Sequence, residues 1–166
     1  MAATARYAES AIYALELGLE IDEPLDESSF DSELWAHVRA LVEDGDWGKV
    51  ATQAAVFTED KVRRWSAQGS DAVGKGLFGQ ALADAGPLRL GAMRGEWEGW
   101  RALGTGFVQA AGNVDRHHVQ HRSDLQRYAV GVLGLASLLL TQMRHEHPEL
   151  IEQQESLSRT DRSRHG

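Results

Sequence analysis

Apolar side chains recur at three- and four-residue steps along most of this chain, and no stretch of any length alternates apolar with polar residues. A period near 3.6 collects such residues on one stripe of a helix, whereas a half-buried strand needs a period of two. The pattern therefore excludes sheet architectures and requires helices that bury their stripes against one another. Tyr7, Ala8, Ala11, Ile12, Leu15 and Leu19 make the first stripe and predict an amphipathic helix from about Ala3 to Gly18. Glu20 to Ser29, with five acids and Pro24, breaks it. Asp31 or Ser32 is placed to cap a second helix, in which Leu34, Val38, Leu41 and Val42 share a face, and Asp44-Gly45-Asp46 closes it with turn chemistry. Trp47 to Trp65 predicts a third helix with Val50, Ala51, Ala54, Ala55, Thr58 and Val62 on one side.

Residues Gly69 to Gly95 differ in kind, because seven glycines and Pro87 punctuate them. They read as an ordered insertion with a short helical stretch over Leu77 to Ala83. Trp97, Trp100, Leu103, Phe107, Ala110 and Ala111 restore the helical period up to Gly112-Asn113, where either residue can close a helix. A last long helix runs from Arg122 or Ser123 to His145, and Pro148 stops it. The fold expected is all-α: a bundle of four to five helices with an extra amino-terminal helix. Its parts are an acidic helix and linker over 1–30, a helical domain over 31–147, and a polar, flexible tail over 148–166.

With 166 residues the chain suits one domain with a real core, and the absence of cysteine excludes disulfide scaffolds and thiolate zinc sites. The longest apolar run, Ala129 to Leu140, is twelve residues against the roughly 18 needed to cross a bilayer, so no membrane span is expected. The opening residues hold no basic cluster before an apolar core, so no secretory leader is expected, and the reading is cytoplasmic. Net charge is −8 but unevenly placed: residues 1–60 carry 14 acidic and 3 basic side chains, while residues 61–166 carry 11 acidic and 14 basic. A phosphate-bearing partner is therefore expected to meet the second half, at a local site rather than over a broadly basic surface.

The one dense titratable cluster is Asn113-Val114-Asp115-Arg116-His117-His118-Val119-Gln120-His121-Arg122. If the last helix begins near Asp115, Arg116 and His121 lie within about a turn and a half of each other. Asp115 would then be the N-cap, and the helix start would add its dipole to the attraction of Arg116 for phosphate.

Arg116-x4-His121 in an all-α chain resembles the Arg-x4–6-His motif of the HEPN superfamily, many members of which are metal-independent ribonucleases. The Abi-like branch, associated with phage defence, is similar over a longer span. Leu41 to Ala51 and Ala54 to Arg63 resemble its small turn, Ala-rich helix, Glu and Arg. Glu98 to Phe107, and Leu77-Phe78 after Gly74-Lys75-Gly76, stand where that branch has similar residues. The resemblance runs from about Ser32 to Met143.

It implies a HEPN-like bundle and a homodimer whose two motifs face one cleft. It also implies RNA as substrate, no cofactor, and Arg116 and His121 as catalytic residues. Glu59 is expected to orient Arg116 or a histidine, with His117 and Asn113 as further supporting residues. The branch usually reads Arg-Asn-Pro-x-x-His, whereas His117 and His118 stand here at the Asn and Pro places. A second register, with Asn113 and His117, would put Gly112 where Arg belongs.

The same resemblance implies an antiphage or toxin role, and with it an antitoxin or sensor subunit that restrains the enzyme. Two other classes stay open: a noncatalytic module that dimerises, binds RNA or docks a partner, and a metalloenzyme using His117 and His121 at i,i+4 with Asp115. Glu59 also has a plainer role available as an i,i+4 partner of Arg63. The tryptophans at helical spacing suit core or interface more than base stacking.

Overall fold

The computed structural model describes residues 25–114 and 123–164. After a short 3-10 turn at Glu27–Ser29 come six helices: α1 Ser32–Glu43, α2 Trp47–Trp65, α3 Gly74–Ala81, α4 Arg94–Val114, α5 Leu125–Glu146 and α6 Pro148–Arg164. There is no strand among the described residues, and the fold is an all-α bundle. The amphipathic helix expected over Ala3 to Gly18 lies outside them.

Local chemistry sets the helix ends. Asp31 caps α1 by accepting a hydrogen bond at 3.0 Å from the Leu34 N–H, so one of the helix's free donors is satisfied. At the other end Gly45 adopts φ +70°, the left-handed conformation that lets its N–H reach Val42 O and the Asp46 N–H reach Leu41 O. Asp46 then caps α2 through the Lys49 N–H. Glu96 sits in the first turn of α4 and accepts from the N–H groups of Ala92 and Met93 at 2.9 and 3.0 Å, a carboxylate reaching back over the helix start.

The centre of the bundle is α2, which packs most extensively on α5 and also touches α1, α3, α4 and α6. All six residues of its predicted stripe are buried, and Lys61 and Trp65 join them. Ala51, Ala54 and Ala55 of α2 and Ala129 and Ala136 of α5 are all buried, and side chains this small let two packed helix backbones approach closely. The buried Thr58 hydroxyl donates to Ala54 O at 2.8 Å, so it carries no unsatisfied polar atom into the core. Around this pair, α3 and α4 form a second layer in which Leu77, Phe78 and Leu82 pack with Phe107 and Val108. The glycine-rich insertion is ordered because Leu88 and Leu90 are fully buried and the Leu88 N–H bonds Ala81 O.

The structure departs from the sequence reading in three places. The short helix starts at Gly74 rather than Leu77, since Gly74 takes φ +55° and turns the chain into it. The helix expected to close at Gly112-Asn113 continues to Val114, neither residue breaking a helix already anchored by Phe107, Val108 and Ala111. The largest correction concerns 148–166, expected as a polar, flexible tail: Pro148–Arg164 is helix α6. Pro148 ends α5 but also opens α6, because a first helical position needs no N–H donor. Ile151 is buried, and polar contacts described below hold the rest. Among the described residues no helix is long and apolar enough to cross a membrane.

Gly104 of α4 lies against α3, and a Cβ there would stand 2.6 Å from Leu82 Cδ1 and 3.0 Å from Phe78 Cδ1, both in fully buried side chains. Gly106, two residues on, has nothing within 4 Å of such a Cβ. Gly104→Val is expected to destabilise the fold by about 1–3 kcal/mol through overpacking, whereas Gly106→Ala is expected to stabilise it by about 0.5–1 kcal/mol by restricting the unfolded chain. Urea unfolding of the two variants beside wild type checks both signs.

Candidate functional site

Arg116, His117 and His121, with Asp115 and His118, lie outside the described residues. Their position in the chain is nevertheless defined, because α4 ends at Val114 and α5 begins at Leu125. Both flanking helices are fixed in the core, α4 by Phe107, Val108 and Ala111 and α5 by Ala129 and Val132. Asn113 belongs to the last turn of α4. The described part of the last helix starts at Leu125, and its flanking Asp124 makes no side-chain capping bond to it.

Glu59 projects from α2 and is largely covered, its side chain 12% exposed. Arg63 Nη2 donates to its Oε1 at 2.9 Å, one helical turn away. Arg63 in turn donates from Nε to Ala72 O at 2.9 Å, so the pair ties α2 to the loop before α3. Of the two roles open to Glu59, the described contacts display the pairing with Arg63.

A charged cluster absent from the sequence expectations lies where α1, α2, α5 and α6 meet. Lys61 stands on the buried side of α2 with its side chain 7% exposed, and its ammonium contacts Glu33 Oε2 and lies 3.0 Å from Glu155 Oε1. Arg144 of α5 donates from Nε to Asp31 Oδ2 at 3.0 Å; its Nη2 lies 2.9 Å from Glu33 Oε1 as an ion contact without hydrogen-bond alignment. Trp65, fully buried, donates its indole N–H to Glu155 Oε1 at 3.2 Å and lies beneath the Arg144 guanidinium, 4.7 Å from ring centroid to Cζ. Asp31 completes the knot: while its carboxylate caps α1 and meets Arg144, its own N–H donates to Ser137 Oγ on α5 at 2.6 Å. A signal for Lys61 does exist in the sequence. Ala54, Thr58, Lys61 and Trp65 follow one helical stripe, and a lysine in that register must be buried with a partner.

Charge balance follows from these contacts. Burial alone would raise the Glu155 carboxyl, but the Lys61 ammonium, the Trp65 indole and Arg144 hold it below the ordinary value of 4.5. Burial likewise opposes the charge on Arg144, and Asp31 and Glu33 reverse this and raise it above its ordinary value. These residues are matched to one another rather than to an outside ligand, so the cluster reads as the clasp that holds α6.

The chain belongs to the family described as a protein of unknown function, Hypoth_ymh, whose model matches residues 28–143. No curated protein and no solved structure matches the chain. The family match takes in α1 to α4, nearly all of α5 and the Arg116 to His121 segment, and it stops before α6.

A carboxylate whose pKa is lowered on folding contributes stability that is present above its unfolded value and lost as pH falls through its folded one. Glu155→Gln is therefore expected to cost about 1–2 kcal/mol at pH 7, a buried-pair penalty reduced by partial exposure. The variant should also lose stability less steeply than wild type as pH falls below about 4.5. Urea midpoints measured from neutral to acid pH read both effects.

Proposed function

We propose that this protein is a metal-independent endoribonuclease in which Arg116 and His121 act on the RNA phosphodiester. The observation that carries the reading is the Arg116-x4-His121 pattern in the link between two core-anchored helices of an all-α bundle. RNA brings its own nucleophile, so the protein needs only a base, an acid and a cation, and this segment is rich in histidine and arginine.

His121, with an ordinary imidazole pKa near 6.5, takes the proton of the 2′-OH at neutral pH. The 2′ oxygen then bonds to phosphorus as the P–O5′ bond breaks, leaving a 2′,3′-cyclic phosphate. Arg116 holds the nonbridging oxygens, on which charge builds, through a planar fork that lysine cannot reproduce. The departing 5′ oxygen takes a proton from a protonated histidine, supplied by a second copy of the chain when two motifs face one cleft. Leu135 and Leu138 stand exposed on α5 and support an association of two copies. DNA lacks the 2′-OH and is inert. In this reading the enzyme works in the cytoplasm as an antiphage or toxin nuclease, with an antitoxin or sensor subunit as restraint.

Two observations favour a second reading, a noncatalytic module that dimerises, binds RNA or docks a partner: His117 and His118 stand where the resembled branch has Asn and Pro, and Glu59 is already engaged by Arg63. The deciding measurement is cleavage of a mixed RNA pool by the purified chain in EDTA, with wild type beside Arg116→Ala and His121→Ala. The nuclease reading expects each variant to lose about 10²–10⁴-fold in rate and wild-type products to end in 2′,3′-cyclic phosphate. No cleavage by wild type with or without added divalent metal leaves the noncatalytic module. Cleavage that EDTA abolishes transfers the reaction to a metalloenzyme using His117 and His121.

A further inference from the structure

We propose that the groove between α3 and α4 holds the phosphates of an RNA strand through Lys75 and Arg101, outside the Arg116 and His121 segment. The choice of RNA as occupant rests on the ribonuclease reading; the anion chemistry of the groove does not. The groove measures about 630 Å³ and is lined by Lys75, Gly76 and Gly79 from α3 and by Arg101, Ala102 and Thr105 from α4.

Its distinction is electrostatic. In this acidic chain most described cations are already neutralised: Arg39 by Glu43, Lys49 by Asp46, Lys61 by Glu33 and Glu155, Arg63 by Glu59, Arg64 by Asp60, Arg89 by Asp84, Arg94 by Glu98, and Arg144 by Asp31. Among the described residues Lys75, Arg101 and Arg127 have no carboxylate partner, and of these Lys75 and Arg101 line the same groove. Glu98 also lines it, but its carboxylate is held by Arg94 Nε at 2.8 Å.

Arg101 is partly pre-positioned. Its Nε donates to Gly79 O at 2.8 Å, which fixes the side chain across the groove and leaves the four remaining guanidinium N–H donors for a ligand. The α3 wall is open because Gly76 and Gly79 carry no side chain. A Cβ at Gly76 would meet nothing within 4 Å, and one at Gly79 would sit 3.8 Å from Arg101 Nη2 and from the Thr105 methyl. The α3 wall beside both cations is therefore free of bulky side chains. The same helix that carries Arg101 runs on to Val114, directly before the Arg116 to His121 segment, about 20 Å further at roughly 1.5 Å per residue. A single strand a few nucleotides long spans that distance, so one RNA can occupy the groove and reach the Arg116 to His121 segment, and the choice of RNA follows from the ribonuclease reading together with the groove's positive charge.

The test measures binding by fluorescence anisotropy of a short mixed-sequence single-stranded RNA to the full chain, in a His121→Ala background so that the probe stays intact. Lys75→Glu is the primary variant, since Lys75 is exposed and makes no described contact; Arg101→Gln, which keeps an N–H donor for Gly79 O, is the second. The expected result is a Kd raised about tenfold by Lys75→Glu, with the slope of log Kd against log salt reduced by about 0.7 for each cation removed. Unchanged affinity and slope in both variants overturns the groove, whether or not the wild-type chain cleaves RNA. Lys75-dependent RNA binding by a chain that cleaves nothing supports the groove and sinks only the nuclease reading. Lys75-dependent binding of an acidic or phosphorylated peptide, with no RNA binding, overturns the RNA occupant.

Discussion

A lysine ammonium cannot be buried beside tryptophan unless carboxylates come with it, and that constraint at Lys61 organises the molecule. Lys61 lies on the inner side of α2, the helix against which the rest of the bundle packs. Its charge needs partners from other elements, and Glu33 of α1 and Glu155 of α6 supply them. Arg144 of α5 then balances the same carboxylates and brings in Asp31, whose other duty is to cap α1. Four helices thus share one polar knot with Trp65 at its base. The knot dictates registry more than it adds stability: an apolar stripe can slide by a turn at modest cost, but a matched set of buried charges cannot.

This clasp lies among α1, α2, α5 and α6, while the proposed chemistry sits in the link between α4 and α5, and the proposed RNA groove lies between α3 and α4. In this proposal stability and function are carried by different residues. The contrast is also electrostatic. In the clasp every charge has a partner of the opposite sign, as a structural cluster requires, whereas Lys75 and Arg101 keep their charge available. Unneutralised cations on the open wall of an acidic protein are what a local phosphate site needs, since the molecule as a whole does not attract polyanions.

Much of the fold was legible in the sequence. The span Trp47–Trp65 and its buried stripe appear as the spacing predicts, and Asp31 caps α1. What escaped was α6, because its helix has little apolar surface: Leu150 and Ile151 pack on the core at its start, Leu157 is exposed, and further along Glu155 supplies the ion pairs. A helix held by one apolar turn and ion pairs leaves little hydrophobic period to read. The catalytic candidates were legible as a pattern, Arg116-x4-His121, and the family match spans them without assigning an activity. Lys75 and Arg101 were not legible as a pair, since 26 positions separate them and each looks like an ordinary surface cation.

The sequence by itself determined the class of the fold, because a 3.6-residue apolar period permits nothing but helices that bury one side. It also determined both ends of α1 and the start of α2, through local bonds of Asp31, Gly45 and Asp46 that depend on near neighbours in the chain. Only the tertiary structure decided which charges are matched and which are left over. That Lys61 meets Glu155 while Lys75 and Arg101 meet no carboxylate depends on how helices distant in sequence come together, and pairwise electrostatics acts through space rather than along the chain.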